Sequence, residues 1–204
     1  MRKILRSKAL VPLAVVMGLM LGAAPAEGTT LDEAREDEVV VTLVGELGVE
    51  LGQTISETEL ATIAEDMGTD IYQAHTVPPL SATSAATTPS WKIVNQWKDN
   101  KAKSVYLRYR NETSWGWAKA RDKHGVTQNM IKKTVQFPRK RVQQGTSFVY
   151  MTPANQYVCT VGICRVTKTM DMKVVHETKS AKGVITAMCN GVVVCPKWVR
   201  DAAA

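Results

Sequence analysis

Between Arg141 and Met188 the chain is divided into short runs rich in Val, Ile, Tyr and Thr, and the gaps between them are too short to hold a helix. The runs are Ser147 to Met151, Gln156 to Thr160, Ile163 to Lys168, Met172 to Glu177 and Gly183 to Met188. Pro153-Ala154-Asn155, Val161-Gly162, Thr169-Met170-Asp171 and Lys179 to Lys182 separate them. β-Branched and aromatic residues suit a pleated strand, and the separators are turn formers. Parallel neighbours need a crossover of a dozen or more residues, so these strands are expected to form an antiparallel meander.

Helical signals come before the sheet. Ser104 to Arg110 alternates as a half-buried strand, with Val105, Leu107 and Tyr109 on one side. Trp115 to His124 then reads as a short helix stopped by Gly125, and Thr127 is placed to cap a second helix that Pro138 ends. Helices first and sheet afterwards is the α+β class, here with short helices packed on the meander. Further upstream, Ser56-Glu57-Thr58-Glu59 is a capping-box pattern, followed by Leu60, Ile63, Ala64 and Met67 at helical spacing and by Gly68 as a stop. Leu31 to Leu47 fits either a helix or, through Val39-Val40-Val41, a strand.

Charge divides the chain differently. Residues 27–90 carry thirteen carboxylates against Arg35 alone, a net of −12, whereas 91–204 carry 21 Lys and Arg against 6 acids, a net of +15. The whole-chain value of +7 hides this split. Four parts follow: a leader 1–26, an acidic pro-segment or docking arm 27–75, a Pro/Ser/Thr/Ala linker 76–90 and a basic globular domain 91–204. In the leader, Arg2, Lys3, Arg6 and Lys8 precede an apolar run from Ala9 to Ala23, and Ala24-Pro25-Ala26 fits a cleavage site. The run falls short of the ~20 residues of a spanning helix. The expectation is a secreted, extracellular protein with no stable membrane span after cleavage.

Export gives meaning to Cys159, Cys164, Cys189 and Cys195. An even number in an exported chain reads as two disulfides, and neither spacing is the tight two-residue one of structural zinc. Three pairings exist on paper; the local one, Cys159 with Cys164 and Cys189 with Cys195, is favoured because Thr160 to Ile163 suits a tight hairpin. The basic half calls for RNA or another polyanion as partner, and Lys132, Lys133, Arg139, Lys140 and Arg141 form its densest cationic run. Trp115 and Trp117 offer a stacking surface beside Arg108 and Arg110. Carboxylates in this half are scattered, which disfavours two-metal nucleases and glycosidases. His124, among cations at a helix end, suits either a general base or a helix C-terminal partner, whereas His176 shares the strand face of Met172 and Val174 and reads as packed.

Lys123-His124-Gly125 at a helix end, the helix running to Pro138, and Met172-Lys173-Val174-Val175 followed by Gly183-Val184-Ile185-Thr186-Ala187 together resemble the ribonuclease toxin domains of the barnase, colicin and EndoU-like group. The resemblance covers roughly Leu107 to Met188, and the tail from Cys189 departs from it. It implies that His124 is the general base or acid, Thr186 a hydroxyl at the scissile phosphate, and Arg108 or Lys173 a phosphate ligand, with no metal or other cofactor. The expected function is an exported, metal-independent ribonuclease-type toxin with an acidic masking segment. The alternatives are a non-catalytic adaptor of a secreted toxin assembly that docks a protein partner through residues 27–90, and a binder of anionic cell-wall polymers.

Overall fold

The computed structural model describes residues 38–71, 89–110 and 114–202. The leader 1–26 and the linker 76–90, except its last two residues, lie outside them. The elements in chain order are β1 (Val39–Val44), β2 (Thr54–Ser56), α1 (Glu57–Asp66), β3 (Ile93–Lys98), β4 (Ser104–Arg108), a π-helical turn (Lys119–Lys123), α2 (Gln128–Gln136), β5 (Lys140–Gln144), β6 (Ser147–Thr160), β7 (Ile163–Glu177), β8 (Gly183–Cys189) and α3 (Lys197–Arg200). The fold is α+β. β5, β6, β7 and β8 form the antiparallel meander, β1 extends the β6 edge and β2 the β7 edge, and β3 pairs with β4 in a separate ribbon.

Two expected turns are strand instead. Pro153 sits inside β6 between Met151, the last partner of β5, and Ala154, the first partner of β1. Its carbonyl accepts from Gly45 N at 3.0 Å on that same side, so its missing N–H faces a gap in the ladder and costs no hydrogen bond. Thr169, Met170 and Asp171 likewise stay paired, opposite Asn155, Ala154 and Pro153.

The β6–β7 register slips once: Gln156 faces Lys168, but Tyr157 faces Val166, which leaves Thr167 as an extra residue. Side chains alternate with period two, so a single insertion turns the following residues of β7 to the opposite face relative to its core-facing set. On one side of the bulge Tyr150, Ala154, Met172 and Val174 meet Met130, Ile131 and Val135 of α2 in the larger core. Beyond it Tyr157, Cys159, Cys164 and Val166 face the other way and meet Val41, Leu43, Ile55, Leu60 and Ala64 in a second core.

The acidic segment expected to stand apart as an arm therefore supplies part of the sheet over its described residues 38–71. β1, read as helix or strand, is a strand because Val41 and Leu43 alternate into the second core. Helix α1 has only ten residues, too few to persist alone. Ser56 accepts from Glu59 N at 3.1 Å, and Gly68, at φ +65°, closes the helix through Gly68 N to Glu65 O (2.7 Å) and Thr69 N to Ala64 O (2.8 Å). Burying Leu60 adds roughly 2 kcal/mol. The Lys133 ammonium of α2 then donates to the Met67 and Gly68 carbonyls at the negative end of α1. In α2, Thr127 caps as expected, accepting from Met130 N at 3.1 Å. The segment before it is a π-helical turn rather than a regular helix, entered through Gly116, where a side chain would meet Arg108 O at 2.6 Å.

Asp99, whose side chain is fully buried, ties the β3–β4 ribbon to the sheet. Its carboxylate accepts from Lys101 N and Lys103 N at 2.8 Å, Tyr150 Oη at 2.7 Å and Arg141 Nε at 3.0 Å. Burial alone raises its pKa, but these donors, Tyr150 foremost, hold it below the usual carboxylate value. Replacing Asp99 by Ala strands Arg141 and Tyr150, and a loss of about 3 kcal/mol is expected in urea unfolding, against about 1 kcal/mol for Tyr150→Phe. Burial, then the charge of Lys132, pushes the Lys133 amine down to about 8 from 10.5. Between those values the unfolded chain binds the extra proton, so this group makes stability rise with pH there. In Lys133→Met that part of the slope should vanish from urea midpoints measured from pH 7.5 to 10.

Candidate functional site

The four residues expected to act together lie on different elements, Arg108 on β4, His124 at the end of the π-helical turn, Lys173 on β7 and Thr186 on β8. His124 is buried; its Nδ1 lies 2.7 Å from Val193 O, and its own carbonyl accepts from Cys195 N at 2.9 Å, so it anchors the loop closed by the second disulfide. Lys173 faces Met151 and Met188 across the sheet, and Thr186 faces Val175. By strand alternation Lys173 and Thr186 share one sheet face while Met172, Val174 and His176 occupy the other. Thr186 Oγ1 is buried without a partner. Arg108, at the end of β4, donates through Nη1 to Trp91 O at 2.7 Å.

The cationic run is also not one surface. Lys133 is buried under α1, Arg139 pairs with Glu46 (2.6 Å) and Asp171 (3.6 Å), and Arg141 pairs with Asp99 and lies 3.6 Å from the Phe148 ring centroid. Lys132 is half-buried on α2, and Lys140 is exposed on β5. Neutralising the acidic segment and holding the ribbon account for three of these five cations. The disulfides join Cys159 to Cys164 and Cys189 to Cys195, the favoured local pairing, with the first pair directly opposite one another in β6 and β7.

A different constellation lines a cavity of about 300 Å³ where β4 meets the ends of β7 and β8. Lys103, Tyr106 and Arg108 border it from the ribbon, Phe148 from β6, and His176 and Glu177 from β7. Alternation explains the ribbon side: Val105 and Leu107 point into the core, so Tyr106 and Arg108 point out of it. Gly183 also lines the cavity and packs directly on the ribbon, where an added side chain would clash with Tyr106 O. His176 is 4 % exposed and neither ring nitrogen has a hydrogen-bond partner; Arg108 Nε is also buried and unpaired. Burial, reinforced by Arg141, holds the imidazole below its ordinary pKa, against the opposing charges of Asp99 and Glu177. Glu177 accepts from Ser180 Oγ (2.7 Å) and Thr146 Oγ1 (3.1 Å), and these bonds, Ser180 first, lower its pKa.

Among the described residues no group of three His, Cys, Asp or Glu is placed as metal ligands, and no helix is long and apolar enough to cross a membrane. The chain matches no protein-family model, no curated protein and no solved structure.

The sequence places His176 on the face of Met172 and Val174, which the structure bears out, but nothing local brings Lys103 and Arg108 to it. A lowered folded-state pKa means that below 6.5 the unfolded chain takes a proton before His176 does. Stability should therefore fall as pH drops from about 6.5. Urea midpoints at pH 7, 6 and 5 should decline less steeply for His176→Phe than for the parent chain.

Proposed function

We propose that this chain is an exported protein that binds a phosphate-bearing polymer, with one anionic group seated in the cavity between Arg108 and His176. The supporting observation is the set of unpaired donors there. A buried polar group without a partner costs roughly 1–3 kcal/mol, and His176 contributes two such nitrogens and Arg108 a third. An oxyanion in the cavity can accept from Arg108 and from the one N–H that a neutral imidazole carries, while Lys103 adds positive charge at the rim. The leader and the two disulfides fit export to an oxidising compartment. The net +15 of residues 91–204 favours a polyanion over a small neutral ligand.

Ribonuclease chemistry built on His124, Thr186 and Lys173 is not the favoured reading, because His124 Nδ1 is engaged by Val193 O and His124 lies on a different element from the sheet face of Lys173 and Thr186. Metal-independent RNA cleavage keeps one footing as a second reading: the cavity sets His176 and Glu177, an acid–base pair, beside Arg108 and Lys103. The adaptor reading loses part of its free arm, since residues 38–71 pair within the sheet.

One assay separates these readings. The chain from residue 27 onward is titrated with a labelled RNA oligonucleotide under chelation at several salt concentrations. Binding should weaken steadily with salt, and Arg108→Ala should flatten the log–log slope by about 0.7, the loss of one single-strand phosphate contact. Absence of binding at low salt rules the proposal out. Cleavage that disappears in His176→Ala promotes the enzymatic reading.

A further inference from the structure

Arg108 belongs to two features at once. Its guanidinium borders the cavity, and its Nη1 holds the backbone carbonyl of Trp91, whose ring lies outside the cavity and is 49 % exposed. An exposed tryptophan is a large apolar area left in water, and covering it favours binding. This one is also held in place. Its ring centroid is 5.0 Å from that of Trp115, tilted by 58°, and Trp115 is itself only 8 % exposed. Arg110 lies 5.7 Å from the Trp115 centroid, and its Nε is buried and unpaired. The exposed Trp91 ring therefore packs on Trp115, which Arg110 faces, while its backbone carbonyl is held by Arg108 at the cavity border.

We propose that Trp91 stacks a base of a single-stranded nucleic acid whose adjacent phosphate enters the Arg108–His176 cavity. This rests on the polyanion reading and narrows it. An exposed flat ring in a pair of tryptophans, with one guanidinium on its backbone carbonyl and another over its ring partner, matches a polymer that alternates planar bases with phosphates, which is how single strands are held without sequence preference. A polyol phosphate has no planar face to offer the ring. A duplex keeps its bases stacked on each other, so the ledge selects unpaired strands.

The test compares an oligouridylate, a linear polyphosphate of similar charge and heparin, each titrated into the chain from residue 27 onward, with tryptophan fluorescence and competition as readouts. The oligouridylate should bind most tightly and quench fluorescence. Trp91→Ala should weaken it about tenfold and leave polyphosphate unchanged, whereas Trp91→Phe should keep most of the affinity. Equal loss for oligouridylate and polyphosphate in Trp91→Ala, or tighter Trp91-dependent binding of heparin, overturns the stacking proposal while the cavity stands. Failure of all three to bind removes the cavity reading as well.

Discussion

The architecture depends on one insertion, Thr167 in the β6–β7 hairpin. Strands of 14 and 15 residues are long for a single pleated pair, and with uninterrupted alternation every inward residue would face the same side. The extra residue makes one hairpin serve two cores on opposite faces, with α2 over one half and α1 over the other. Each core then contains its own disulfide: Cys159–Cys164 in the smaller, Cys189–Cys195 in the larger. Both close short loops, so the chain-entropy gain is about 2 kcal/mol each. Their role is to fix the two ends of the hairpin system rather than to replace a core.

That geometry decides which charges remain available. A split between an acidic and a basic half looks like a removable mask over a binding surface. Over residues 38–71 the acidic half is instead built into the edges of the sheet, and the nearest cations are used to hold it: Arg139 by Glu46, Lys133 by the carbonyl end of α1. Three members of the densest cationic run are thus already engaged, Lys133 and Arg139 with the acidic segment and Arg141 with Asp99. Among the described residues no ion pair joins the cations of the β3–β4 ribbon to that segment. Arg108 and Arg110, less conspicuous as a pattern, are the ones that border the cavity and the aromatic ledge.

Legibility in the sequence follows the range of the interaction. Ser56, Gly68 and Thr127 were readable because a cap is decided within four residues, and the alternation from Ser104 to Arg108 because a strand face repeats every two. The first disulfide was readable because Thr160 to Ile163 is a local turn. Pro153 was misleading: proline reads as a break unless the strand beside it is known to stop there, and β5 and β1 lie far apart in the chain. β5 itself was hidden under Lys140 and Arg141, whose charge reads as loop, although Arg141 pairs through Nε with Asp99 more than forty residues earlier. The cavity was least visible, because its walls come from three stretches whose proximity is created by the ribbon docking on the sheet.

The two buried histidines show why the site follows from accounting of hydrogen bonds rather than from residue type. By motif, His124 is the better candidate; by partners, it is the poorer, since its Nδ1 is committed to Val193 O and its backbone to Cys195, which leaves only Nε2 unmatched. Its removal would loosen a loop. His176 occupies an ordinary strand position, yet both nitrogens are left unmatched next to Arg108 Nε, which is unmatched too. Packing alone favours replacing such a group by an apolar one of similar shape, since the uncompensated desolvation is lost stability. Unmatched nitrogens of His176 and Arg108, both lining one cavity, therefore represent a cost that folding does not recover, and an oxyanion that accepts from Arg108 and from the single imidazole N–H is an occupant that recovers part of it. The cost also sets the character of binding. The free energy that the empty site forgoes is returned only when an acceptor arrives, so affinity at this point is concentrated in the anionic group, while the flat ring of Trp91 supplies the part that depends on what carries it.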